Sequence, residues 1–249
     1  MVLIGENSFF YRDVNKSDPL QIAKFRGGGA GVGVMKRTEE ALNFRLGAEW
    51  VTGALRGAGG RDAGLRFTEF IQFEIDHLQK SKYDEPVDGV RLFISLSNQF
   101  LEGFFQEPEA RNNFLQGIEE KYIPLAKGTT LGLVVREGQE SNAGLHWRTT
   151  FGSFQEDEFN IPLPGYFYQQ LPAKRYLNGE AHLRSWITPS LLGHLAYYAA
   201  GGWDNHIYTS STVGVTYLAF GKLPLFAEGA FGHSPAGGTE LLLGTALQW

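Results

Sequence analysis

The chain has 249 residues, contains no cysteine and carries a formal net charge of −5 at pH 7. This length suits one large all-β domain, and because no stretch resembles a flexible linker we expect a single domain over residues 1–249. The acidic balance excludes the basic footprint of a nucleic-acid-binding protein, and no apolar run is long enough for a membrane-spanning helix.

The beginning of the chain contains no recognisable export signal. Residues 1–6 provide neither a basic segment nor a long apolar one. We therefore expect either a cytosolic chain or the mature form of an exported protein with an added initiator methionine.

The first half of the chain contains several long runs in which apolar and polar residues alternate. Residues 1–12 form an ambiguous first strand, and residues 13–26 are predicted to contain a loop. In residues 27–35 aliphatic side chains alternate with glycines, which predicts a strand whose glycine face leaves room for something large. Three further two-faced strands are predicted near residues 42–50, 65–76 and 90–100.

Two long irregular segments are predicted to interrupt the strands. In residues 107–127 the side chains of Phe114, Ile118 and Tyr122 follow a roughly helical spacing, which predicts a long loop carrying a short helix. Residues 155–178 are rich in aromatic residues and proline, and they either cover one mouth of the fold or fold inward. Between the two segments, strands are predicted near residues 131–135 and 145–151.

The last part of the chain is predicted to contain about five strands, joined by two short turns and two longer loops, near residues 180–187, 192–200, 211–220, 223–231 and 238–249. The final strand places Leu241, Leu243, Leu247 and Trp249 on one face and small or polar residues on the other. Counted back from this end, short and longer connections alternate.

With this alternating last strand and its terminal aromatic residue, the chain resembles the class of bacterial outer-membrane β-barrels. The resemblance implies an all-β, antiparallel transmembrane barrel of about 12 strands with two long extracellular loops, embedded in outer-membrane lipid. The alternative is a soluble β-sandwich or lipocalin-like barrel, in which the apolar face points inward. Aromatic residues near the strand ends of the apolar face, with Arg, Glu and His on the opposite face, favour the membrane barrel.

If the apolar faces meet lipid, the polar faces line a lumen. This parity assigns a set of candidate solute-binding residues to the lumen: Arg45, Arg66, Arg91, Arg148, Arg184, Glu49, Glu74 and His146. The same face receives further titratable residues, namely Asp76, Glu228, Glu240, His182 and His194. Rows of arginine in a narrow pore favour anionic solutes, whereas pairing with the glutamates would neutralise them and plug the barrel. The sequence leaves both outcomes open.

In its size, inferred strand number and arginine-lined lumen the chain also resembles small monomeric channels for acidic oligosaccharides. The resemblance implies a monomeric outer-membrane channel that passes small anionic solutes or oligosaccharides by passive diffusion. No spacing of histidines and carboxylates predicts a metal site, and no helix or lysine follows the glycines of residues 27–31 as in a phosphate-binding loop. We therefore expect no metal and no cofactor.

Other functions stay open as alternatives. An outer-membrane lipid hydrolase of the deacylase or phospholipase type could use His233, Ser234 and Glu240, but here the histidine and serine are adjacent, whereas deacylases space them one residue apart. A second candidate set is Ser95 or Ser97 with His146. Because neither set is well formed, a protein that is not an enzyme is favoured. The chain could also be the barrel domain of a larger exporter, or a structural barrel whose long loops bind a partner.

Overall fold

The structure is a computed structural model, and the residues that it describes are 2–11, 21–37, 42–57, 60–81, 85–102, 110–141, 149–154, 160–166, 171–202, 206–219, 225–235 and 238–247. Within these residues the regular structure is all β. Among them there is no helix that is long and apolar enough to cross a membrane.

The described residues form sixteen strands. In chain order they are β1 (Val2–Tyr11), β2 (Gln21–Arg37), β3 (Leu42–Gly57), β4 (Gly60–Asp76), β5 (Gln79–Lys80), β6 (Pro86–Glu102), β7 (Ala110–Ala126), β8 (Thr129–Glu140), β9 (Thr150–Phe151), β10 (Asn160–Ile161), β11 (Leu171–Pro172), β12 (Arg175–Thr188), β13 (Leu191–Gly201), β14 (Ile207–Ala219), β15 (Leu225–Ser234) and β16 (Gly238–Leu247). The twelve long strands form one antiparallel sheet in chain order, with the short β5 pairing to β6. This confirms the predicted all-β antiparallel architecture and its strand number.

The two faces of the sheet have opposite polarity. Along β8 buried and exposed residues alternate, so that Arg136 and Glu140 are buried while Leu133 and Val135 are exposed. The same reversal occurs on β13, where Leu195 is 52% exposed. Because a strand turns successive side chains to opposite faces, the apolar set points outward and the polar set inward. A soluble barrel would show the opposite arrangement.

The prediction of a loop with a short helix in residues 107–127 is wrong for the part that forms β7. The spacing of four between Phe114, Ile118 and Tyr122 is also a multiple of the strand period of two, so a strand places all three on one face. Pairing with β6 on one side and with β8 on the other satisfies the backbone of this segment. Its polar residues Gln116 and Glu120 fall on the same face as these three, towards the interior.

The strand predicted near residues 145–151 does not join the main sheet in its described part. Thr150–Phe151 is β9, which pairs with β10 and β11 in a separate small sheet. Since β8 pairs with β7 on one edge and with β12 on the other, no further strand fits between them. The described residues of the connection between β8 and β12 therefore lie outside the main sheet.

The described part of the connection between β8 and β12 folds against the inner face of the sheet. We call its described residues 149–154, 160–166 and 171–173 the inward segment. Phe151 and Leu163 of this segment are fully buried, and they belong to a cluster with Tyr176 of β12 and Tyr198 of β13. Of the two alternatives that the sequence left open for this aromatic region, the described residues therefore follow the inward one.

The sheet curls around the inward segment. Glu140 of β8 accepts a hydrogen bond from Thr149 N at 2.7 Å, and Glu240 of β16 accepts one from Ser153 Oγ at 2.7 Å. Four strands separate β8 from β16, so a flat sheet would hold the two roughly 24 Å apart. A single cavity is nevertheless lined both by Glu120 of β7 and by Leu242 of β16, which a flat sheet would hold still farther apart. The sheet is therefore strongly curved, although β1 and β16 do not pair with each other among the described residues.

Candidate functional site

A first charged cluster lies on the inner face of β3, β4, β6 and β7. Arg91 donates from Nε to Glu74 Oε1 at 2.8 Å and from Nη1 to Glu120 Oε1 at 3.0 Å. Arg45 Nη2 lies 3.9 Å from Glu74 Oε2, and Asn43 Nδ2 donates to the same oxygen at 3.2 Å. The cluster arises because the register places Arg91 opposite Glu120, with Glu74 reaching it from the other side. It neutralises much of the charge of Arg91.

A second charged cluster is more deeply buried on β8 and β12. Arg136 donates from Nη1 to Glu180 Oε2 at 2.9 Å and to Asn178 Oδ1 at 3.3 Å. His182 Nδ1 lies 3.0 Å from Glu180 Oε1, the other oxygen of the same carboxylate. The side chains of Arg136, Glu180 and His182 are 9%, 12% and 6% exposed. Charges that are so buried are tolerated because they are paired and hydrogen-bonded.

A third ion pair crosses the interior. Arg184 on β12 donates from Nη1 to Glu85 Oε2, which lies immediately before β6. In the sheet β7 and β8 separate β6 from β12, so this contact reaches over the inner surface of both. It therefore ties the two halves of the curled sheet together near the ends of the strands.

A cavity of about 420 Å³ lies between the second cluster and the inward segment, and we call it the inner chamber. Its polar wall includes Glu120, Arg136, Glu180, His182 and Arg184. Tyrosines, threonines and small residues of β7 and β12–β15 supply further wall, including Tyr122, Tyr198, Thr212, Thr216 and Ala196. Phe154 and Pro162 of the inward segment close one side.

Two carboxylates hold the inward segment against the wall. Glu140 accepts hydrogen bonds from both the N–H and the hydroxyl of Thr149. Glu240 accepts from Ser153 Oγ at 2.7 Å and from Gly165 N at 3.2 Å. In addition, Ser210 of β14 donates its hydroxyl to the carbonyl of Pro164. Hydrogen bonds to ionised acceptors are the stronger kind, so these contacts fix the position of the segment.

The predicted lumen residues are distributed unevenly over the described structure. Arg45, Arg91, Arg184 and Glu74 have described side chains in the ion pairs above, and the register brings Arg45, Arg91 and Glu74 together. Glu49 lies on β3 on the same face as Arg45. Arg66 lies on β4, opposite Val51 and Leu101, but its side chain is not among those described. Arg148 and His146 lie outside the described residues.

Sequence reasoning missed several charged residues of these clusters. Glu120 was missed because its segment has the spacing of a helix as well as that of a strand. Arg136 follows the predicted strand near residues 131–135 directly, and extending the alternation by one residue would have assigned it to the interior. Glu180 stands at the beginning of a predicted strand, and the parity that assigns His182 and Arg184 to the interior would have assigned it there too. Glu85 lies in a turn, where strand parity gives no direction.

The residues considered for lipid hydrolysis are separated by strand parity. His233 is exposed, with Nδ1 3.4 Å from Thr239 Oγ1, whereas the neighbouring Ser234 is only 1% exposed. Adjacent residues of a strand point to opposite faces, so the two side chains diverge. Glu240 is engaged with the inward segment. Among the described residues no group of three or more potential ligands could hold a metal ion.

The reversed polarity, the antiparallel chain order and the curled sheet are the features of outer-membrane β-barrels, and the chain has that fold. It is similar to the crystal structure of BamA from Haemophilus ducreyi lacking POTRA domains 1–3, with a TM-score of 0.63 and 12% identity. The match covers 99% of this chain, which spans 59% of that BamA chain. The similarity to the crystal structure of Pseudomonas aeruginosa OprD is lower, with a TM-score of 0.32 and 11% identity over 100% of this chain and 94% of OprD. No protein-family model and no curated protein matches the chain.

Proposed function

We propose that the chain is a bacterial outer-membrane barrel that passes small polar solutes by passive diffusion. The observation that carries this proposal is the reversed polarity, with exposed Leu133, Val135 and Leu195 outside and paired charges inside. Such an outer face suits the hydrocarbon of a bilayer, and such an inner face suits water and polar solutes. The proposal includes contact with outer-membrane lipid and a monomeric state.

The open path is proposed to run beside β2. The inward segment packs against β12–β14 and is bound to β8 and β16, so it occupies that side of the interior. On the other side Gly29, Gly31 and Gly33 of β2 lie on the face of the sheet that also carries Arg45 and Glu49 of β3, and glycine has no side chain to fill the space. The inward segment would thus set the width of the passage, as constriction loops do in general.

The solute class depends on how much arginine charge the glutamates leave uncompensated. Arg91 and Arg184 make close contacts with carboxylates, whereas the nearest approach of Arg45 to Glu74 is 3.9 Å. The side chain of Arg45 is also 48% exposed, so a passing anion can reach it. We therefore propose a weak preference for small anionic solutes that depends on Arg45 and is smaller than the row of arginines alone suggests.

The test is single-channel recording of the refolded protein in planar bilayers under a KCl gradient. We expect small, stable conductance steps with an anion-biased reversal potential, and Arg45→Gln should lower the anion-to-cation permeability ratio by about twofold, as expected for one exposed charge. The matched control is Lys36→Gln, because Lys36 is an exposed cation on β2 next to Met35, the partner of Arg45.

Two results would count against the proposal. Electrical silence from protein that is demonstrably folded and inserted would exclude an open channel. An unchanged reversal potential in Arg45→Gln would exclude the assigned origin of the anion preference while leaving conduction itself intact.

A further inference from the structure

The inner chamber has the size of a small-molecule binding site. Its volume of about 420 Å³ lies in the lower part of the usual range for such sites, about 300–1,000 Å³. It is lined both by charged groups and by tyrosine rings. A ligand of one or two sugar units is the largest that this volume suits.

The charges around the inner chamber are already balanced. Arg136 is paired with Glu180, Arg184 with Glu85, and the third lining carboxylate, Glu120, with Arg91. A ligand with a net charge would have to separate one of these pairs, which is costly where the partners are buried. A neutral ligand need not do so.

A neutral polyol can form hydrogen bonds with the charged residues without separating their ion pairs. Each hydroxyl both donates and accepts, so neighbouring hydroxyls can donate to the carboxylates of Glu120 and Glu180 and accept from the guanidinium of Arg184. Hydrogen bonds to charged groups are stronger than those between neutral groups, so the absence of net charge does not mean weak binding. Among small polar solutes this pattern favours saccharides.

Aromatic rings complete the match to a sugar. Tyr122 and Tyr198 line the inner chamber, and the Tyr122 ring lies 5.5 Å from that of His182, tilted by 39°. A tyrosine offers an apolar face together with a polar hydroxyl, which suits a ligand that has apolar C–H faces and a polar edge. Carboxylates, guanidinium groups and tyrosine rings thus line the same chamber.

We propose that the inner chamber binds a neutral mono- or disaccharide during its passage through the barrel. This inference rests on the proposed channel function, since a sugar reaches the chamber through the lumen. The inner chamber differs in its ligand preference from the path beside β2, where the exposed Arg45 favours small anions, because the paired charges of the chamber discriminate against anionic sugars.

The experiment is saturation-transfer NMR on the full refolded chain in a zwitterionic detergent without sugar headgroups. Glucose and maltose are the neutral probes, and glucuronate is the anionic one. Ala196→Phe fills the chamber from β13, whereas Ala199→Phe places the same ring on the opposite face of the same strand. Thr216→Leu is a second filling variant from β14, for use if Ala196→Phe does not fold.

We expect a neutral sugar to bind the wild type and Ala199→Phe, and to bind at least about tenfold more weakly in the filled variants. Glucuronate should bind more weakly than the neutral sugars. Equal binding in a folded filled variant, stronger binding of glucuronate, or no binding of either neutral sugar would each overturn the inference.

Bilayer recordings on the same preparation separate this inference from the proposed function. Conductance without sugar binding would refute the chamber site and leave the channel standing. Sugar binding without conductance would refute the channel and, with it, the claim that the sugar is in transit.

Discussion

Several glycines on the inner face lie directly beneath a ring from the neighbouring strand. A Cβ atom on Gly132 would lie 1.8 Å from His182 Nε2, and one on Gly138 would lie 2.4 Å from the Tyr176 ring. The missing side chain lets each ring lie flat against the wall instead of projecting into the interior. These glycines therefore help to determine how much space the lumen retains.

We predict that Gly132→Ala destabilises the barrel by about 1–3 kcal/mol, the usual cost of overpacking. His182 must move to accept the methyl group, which disturbs its 3.0 Å contact with Glu180 and hence the pair with Arg136. The measurement is equilibrium urea unfolding in lipid vesicles. Gly179→Ala is the control, because a Cβ there meets nothing within 4 Å. Equal free energies of unfolding for the two variants would show that the His182 ring moves aside without a cost in stability.

At the scale of single residues, strand parity predicts the direction of a side chain only as far as the strand is recognised. Asp76, His182 and Glu240 were assigned to the interior because they lie inside recognised runs, and their positions in the alternation follow from the period of two. The contacts of Arg184 with Glu85 could not be predicted in this way. Ion pairing between distant segments depends on curvature and register, which a single sequence does not contain.

The inward segment is the element that most directly controls the interior. Glu140 accepts hydrogen bonds from it on one side and Glu240 on the other, and Ser210 donates one to it. The two strands that carry these carboxylates lie at different places on the curled sheet. The segment therefore spans part of the interior rather than lying along one strand.

We predict that Glu240→Ala loosens the inward segment and raises single-channel conductance. The substitution removes the acceptors of Ser153 Oγ and Gly165 N, and each hydrogen bond to a charged group contributes about 1.5–3 kcal/mol. The population of displaced segment should rise by about tenfold or more. Thr239→Ala is the control, since Thr239 is exposed and contacts His233. Unchanged conductance in Glu240→Ala would show that the segment does not limit the passage.

At the scale of elements, alternation revealed most wall strands but not which strands are neighbours. The predicted number of twelve is correct, yet one predicted strand, near residues 145–151, is replaced in the wall by β7. The sequence of residues 145–151, which ends in β9, has the same local alternation as a wall strand. Its exclusion is decided by β12, which occupies the free edge of β8, and such competition is not visible in local sequence.

The whole molecule has an exterior that is apolar along most of the described strands. Leu195 on β13 and Val213 on β14 are opposite each other and 52% and 51% exposed. In water such a continuous surface would cause aggregation, whereas in a bilayer it is the stable arrangement. In a protein with this surface, the loss of stability caused by a charged substitution should depend on the depth of the substituted residue in the bilayer.

We predict that Leu195→Lys destabilises the barrel in lipid vesicles by about 2–4 kcal/mol, the cost of a cation near the bilayer midplane. Ile207→Lys should cost about 0–1 kcal/mol, because Ile207 begins β14 at the mouth and such positions lie near the interface. Urea titration of folding in vesicles compares the two. Equal effects would contradict the assignment of the outer face to lipid.

The direct pairing of β8 with β12 has a consequence for the order of folding. Short turns join β7 to β8 and β12 to β13, so these hairpins close small loops, whereas β8 and β12 meet only after the chain of residues 141–174 has been looped out. Closing a longer loop costs more chain entropy, and contacts between distant residues form more slowly. The hairpins within each half of the sheet should therefore form first. Their joining would then be the late step that encloses the aromatic connection between them.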